Sequence, residues 1–99
     1  MLREVHFRPK AEEDLNDIWD YTVLNWSQEQ ATSYLEGLEA AVNLLREFPE
    51  SVRLREEFTP SIRAYSYRSH LVIFTSDDTR IEVIRVLHAR SNWQVLFSE

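Results

Sequence analysis

The hydrophobic positions of this chain change period as it proceeds. Glu4-Val5-His6-Phe7 alternates apolar and polar and predicts a short first strand, at the edge of whatever sheet it joins. From Pro9 the stripe falls at Ala11, Leu15, Ile18, Trp19, Thr22 and Trp26, three and four apart, which predicts one face of an α-helix. Pro9 suits the first turn of that helix, where a missing N–H costs nothing. Glu12, Glu13 and Asp14 then lie where the helix dipole favours negative charge. Ser27 is a good N-cap, with Gln30 three residues on to complete a capping box. A second helix follows, with Ala31, Tyr34, Leu35, Leu38, Ala41, Val42, Leu45 and Phe48 on its stripe and Pro49 ending it. So little chain separates the two helices near Asn25 that they must fold back as an αα-hairpin. Gly37, mid-helix, costs about 1 kcal/mol against alanine. Close approach of the two helices is the expected compensation.

Beyond a charged connector over Glu50 to Pro60 the period shortens to two. Ile62 to Tyr67 alternates, Leu71 to Thr75 is a second apolar run, and Ser76-Asp77-Asp78-Thr79 is a polar turn. The next stretch, Ile81 to Arg90, carries Ile81, Val83, Ile84, Val86 and Leu87, apolar on both parities, and predicts a central strand covered on both faces or nearly so. Two hairpins therefore join three consecutive antiparallel strands. The reading is an α+β fold over residues 1–99 as one domain: an N-terminal strand, an α-helical hairpin packed on a small antiparallel β-sheet, and a short C-terminal tail. That tail places Trp93, Val95, Leu96 and Phe97 close together, either to cap the core or to await a partner.

Composition narrows the function classes. The chain has no cysteine and one glycine, which removes disulfides, thiolate chemistry, Cys-type zinc sites and Gly-rich phosphate loops. No signal-peptide run and no membrane-spanning apolar stretch occur, so a cytoplasmic location is expected. The net charge is −6; residues 1–50 carry −7, and residues 51–99 carry +1 with arginine as the only basic residue. An acidic chain lacks the positive field that supplies most affinity for nucleic acid, so direct sequence-specific nucleic-acid binding is not expected. His6, His70 and His88 show no metal-ligand spacing, and neither metal nor cofactor is expected. Arginine and aromatic residues remain: Arg63, Tyr65, Tyr67, Arg85, His88, Arg90 and Trp93. Such a set suits RNA cleavage by histidine and arginine, or a protein-binding surface, where arginine and aromatics are the usual anchors.

Specific residues add a resemblance. Phe7-x-Pro9-x-Ala11-x-x-Asp14-Leu15-x-x-Ile18-Trp19-x-Tyr21, then Trp26, Ala31, Tyr34, Leu35, Pro49 and Ile62-Arg63-x-Tyr65, lead to Val83-Ile84-Arg85-Val86-Leu87-His88-Ala89-Arg90. In this order they resemble the ParE toxins of bacterial toxin–antitoxin (plasmid-stabilisation) modules, within the RelE/ParE superfamily. The resemblance implies the same hairpin-on-sheet fold. It also implies a toxin that inhibits DNA gyrase by protein–protein binding, without catalysis, and is neutralised in a hetero-oligomer by a ParD-like antitoxin lying along a groove and sheet edge. The ribosome-dependent mRNA interferases of the RelE-like branch place a Tyr or His in the C-terminal segment; Leu96 aligns there, and no tyrosine follows Tyr67. The gyrase branch is therefore favoured over an interferase using Arg63, His88 and Arg90, and over a non-toxic antitoxin-binding module. Arg85, His88, Arg90, Asn92 and Trp93 are the candidate target-binding residues. Leu15, Trp19, Tyr34, Leu38, Ile73 and Phe74 are the candidate antitoxin-binding residues, although most of them must also serve the core.

Overall fold

The computed structural model describes residues 2–97. Its elements follow the periodicity closely: β1 (Glu4–Phe7), α1 (Pro9–Asn25), α2 (Gln28–Glu47), a 3-10 turn (Pro49–Ser51), β2 (Leu54–Arg55), β3 (Ile62–Tyr67), β4 (His70–Ser76), β5 (Arg80–His88) and a second 3-10 turn (Trp93–Leu96). Ser27 caps α2 as expected, its Oγ accepting the Gln30 N–H at 3.0 Å. The strands form one sheet in the order β1-β5-β4-β3-β2. The β3–β4 and β4–β5 pairs are antiparallel, as the two predicted hairpins require.

Three features differ from the expectation. β1 pairs with β5 in parallel, so the sheet is mixed, and alternation within β1 carries no information about direction. The centre of the sheet is β4, where Leu71, Val72, Ile73 and Phe74 are buried in succession; β5 lies between β4 and β1. Gly37 makes room for a tyrosine of β3 instead of for α1: a Cβ there would fall on the Tyr67 hydroxyl, with the Tyr67 ring carbon Cζ at 3.1 Å.

Both faces of the sheet are covered. Against the hairpin, Ile18 of α1 and Leu38, Val42 and Leu45 of α2 pack on Val72, Phe74, Ile81, Val83 and Val86. On the other face, Leu71 and Ile73 of β4 and Ile62 of β3 meet Phe58 and Trp93, with Ile84, Leu87 and Phe97 half-buried around them. A register shift in β5 explains its two-parity pattern. Ile73 pairs with Arg85 but Phe74 pairs with Val83, so Ile84 is an extra residue, a β-bulge. The bulge lets Ile81, Val83 and Val86 share the helix face despite their mixed spacing, and it redirects Arg85 toward α1.

Candidate functional site

The bulge and α1 are held together by one carboxylate. Asp14 accepts Arg85 Nε at 2.8 Å, Arg85 Nη2 at 2.9 Å and the Val86 N–H at 2.9 Å. The Asp14 carboxylate holds the Arg85 guanidinium above its ordinary value, chiefly through that hydrogen bond. Asp14 is one rim of a groove of about 660 Å³ between the turn end of the helical hairpin and the β4–β5 strands. Its α1 wall is Asp14, Asp17, Ile18, Tyr21 and Thr22, continued by Trp26; Gln30 and Tyr34 come from α2. Ser69, His70, Val86, Leu87 and His88 supply the sheet side.

The groove has an apolar edge and a polar wall. Tyr21 is 65% exposed and Trp26 68% exposed, with Leu24 at 84% beside them on the hairpin tip. Exposed aromatics clustered beside a concavity mark an interaction site far more than scattered apolar residues do. In the wall, the Tyr34 hydroxyl lies 2.7 Å from His70 Nδ1, and His70 stands opposite His88 with ring centroids 5.4 Å apart. Burial pushes the Tyr34 hydroxyl up and the His70 imidazole down, the neighbouring His88 adding to the second effect. No lysine or arginine is among the lining residues, and no group of three metal-ligating side chains is present among the described residues.

The candidate residues scatter across this geometry. His88, Arg90 and Asn92 are exposed at the end of β5 and just beyond it. Arg85 is committed to Asp14 and Trp93 is 5% exposed within the second core, so neither is the accessible target anchor that the sequence suggests. Among the antitoxin candidates, Tyr34 alone lines the groove. Leu38, Ile73 and Phe74 are interior, and Ile73 faces the side of the sheet away from the hairpin, so these three are core residues instead. Leu15 is half-buried against the first core, and Trp19 lines a shallow depression with Ser27, Gln28, Glu29 and Thr32, apart from the groove. Arg63, assigned to an interferase centre, donates to the Val52 carbonyl, a structural task. Missed altogether were Asp17, Tyr21 and Gln30 as groove residues, and His70. Tyr21 and Leu24 were the available signal: large apolar residues off the α1 stripe have no core position to fill.

The comparisons with known proteins decide what bears this groove. The family model described as "ParE toxin of type II toxin-antitoxin system, parDE" matches residues 5–93. The chain belongs to the ParE toxin family. Toxin ParE1 of Caulobacter vibrioides is 36% identical to it over 83 residues, covering 84% of this chain and 85% of that protein. Toxin ParE1 of Mycobacterium tuberculosis is 35% identical over 83 residues, covering 83% and 85%. Among solved structures, one titled "Chromosomal ParDE TA system from P. aeruginosa" superposes with a TM-score of 0.75 at 19% identity, covering 88% of this chain and 96% of that one. It shares the α+β fold of this ParE toxin. No helix among the described residues is long and apolar enough to cross a membrane.

Proposed function

We propose that this ParE toxin arrests growth in the cytoplasm by gripping DNA gyrase, performs no bond chemistry, and is silenced by a ParD-like antitoxin that lays an apolar segment in the groove between hairpin and sheet. The observation that carries the antitoxin part is the exposed Tyr21 and Trp26 edge beside a 660 Å³ concavity. An apolar partner side chain seated there would remove both aromatics from water, the kind of contact that dominates interface energetics. For the target, His88, Arg90 and Asn92 form the accessible end of β5, continuous with that groove through His88.

A second reading, RNA scission, rests on the Tyr34–His70 hydrogen bond beside His88, which places proton-transferring groups together. Charge weighs against it. Asp14 and Asp17 line the groove, and Asp14 already neutralises Arg85, the nearest arginine of the β5 bulge. Phosphodiester cleavage needs a cation at the developing oxyanion, and an acidic wall repels the substrate.

Purified gyrase should lose supercoiling activity when this protein is added, and Arg90→Ala should restore most of it with the fold intact. Trp26→Ala should leave toxicity unchanged and weaken the antitoxin complex by tenfold or more, a loss of about 1.4 kcal/mol. Unimpaired supercoiling together with RNA cleavage that depends on His88 would establish the second reading. Normal growth of cells expressing the protein alone would leave a non-toxic antitoxin-binding module.

A further inference from the structure

The groove wall holds a histidine, His70, that the proposed grip on gyrase does not use. His70 and His88 are direct cross-strand partners, their rings at 73°. The Arg90 backbone N–H donates to His88 Nδ1 at 3.1 Å. Protonating His70 forces the Tyr34 oxygen to accept, and its own proton must then turn toward the Tyr67 carbonyl, 3.5 Å away.

Every element around the pair contributes a polar or charged group. α1 presents Asp14, which is occupied by Arg85 and the Val86 N–H, and Asp17; α2 presents Tyr34. The β3–β4 turn adds Arg68, whose charge acts on Tyr34, with Tyr67 just before it, and Arg90 follows β5. In the open groove water solvates the His70 imidazolium. An apolar segment seated over it would expel that water, and low dielectric penalises the charged form of the ring.

We propose that seating the antitoxin in this groove is linked to proton release from His70, so that the toxin–antitoxin complex loosens on acidification. The linkage rests on the groove being the antitoxin seat, as proposed above. Burial already disfavours the His70 cation in the free toxin, and cover by a partner extends the same effect. Each further unit by which seating lowers one imidazole weakens the complex about tenfold at acid pH.

The test is calorimetric titration of the toxin with its ParD-type antitoxin at about pH 7.5 and about pH 5, the lower point set well down because His70 in the free toxin already lies below the ordinary value near 6.5. Each pH is run in two buffers of different ionisation enthalpy. The affinity should drop about tenfold or more at the lower pH, with net proton release on binding. His70→Asn keeps an acceptor where Nδ1 meets Tyr34 and should remove most of both the pH dependence and the proton release. Wild-type binding without pH dependence, or the same dependence in His70→Asn, overturns the linkage; Trp26→Ala, if weakened equally at both pH values, keeps the antitoxin seat standing in that case. No binding at either pH overturns the seat, and the linkage with it.

Discussion

The Asp14–Arg85 contact joins residues 71 apart in sequence and is the most informative place to perturb the fold. In Asp14→Ala, Arg85 loses two hydrogen bonds and its counter-ion, and the Val86 N–H beside the bulge loses its acceptor. The side chains are 11% exposed for Asp14 and 22% for Arg85, so the pair is neither a surface ion pair nor a fully enclosed one. Exposed pairs contribute about 0–1 kcal/mol, whereas removing one partner of a buried pair costs about 3–5 kcal/mol. The position between these limits gives about 2–4 kcal/mol for Asp14→Ala. Asp14→Asn keeps an acceptor for Val86 and should lose about half as much, roughly 1–2 kcal/mol. In the double variant Asp14→Ala/Arg85→Met no buried charge remains unpaired, so stability should recover by at least about 1 kcal/mol over Asp14→Ala alone. Urea unfolding with a constant denaturant slope measures all three. An Asp14→Ala loss below about 0.5 kcal/mol, or simple additivity in the cycle, would refute the claim that this carboxylate fastens α1 to the sheet.

Other substitutions test the remaining packing. Gly37→Ala should destabilise by about 1–3 kcal/mol despite the better helix propensity of alanine, because the new methyl group collides with Tyr67; Tyr67→Phe in the same chain should recover part of the loss in thermal melts. Trp93→Ala should cost about 3–5 kcal/mol and unfold much of the protein at growth temperature, which circular dichroism would reveal. Burial depresses the folded-state value of His70, so the unfolded chain binds its proton more readily. The His70 contribution is complete above the unfolded value near 6.5 and is lost as the pH falls through the depressed folded value. Wild-type melting temperatures should therefore decline on acidification from about pH 7, and His70→Asn should flatten that decline.

Element type was legible because each segment had one clear period. The helices and their cap followed from stripes of three and four and from Ser27, and the hairpin strands from alternation. What stayed hidden depended on long-range placement. The parallel direction of β1 is fixed by its partner β5, and β2 is two residues inside a charged connector. The bulge at Ile84 has no local signature, yet it decides that Arg85 meets Asp14. The site was less legible than the fold for the same reason. His70 and His88 are far apart in sequence and become neighbours through strand register alone. Trp93 looked like an anchor because aromatics near a terminus serve either role; Phe58 and Ile73 settle it, and both come from elsewhere in the chain. Trp26 misled in the opposite direction: it continues the α1 stripe in phase, but the hairpin turn leaves it beyond the sheet.

The second core has an implication for how the gene can decay. Trp93, with Phe97 beside it, covers Ile62, Leu71 and Ile73. A premature stop codon just ahead of Trp93 would uncover this greasy underside, and the shortened product should clump or be digested by housekeeping proteases. Mutational loss by that route would clear the polypeptide from the cell, and no inert decoy would survive to soak up antidote.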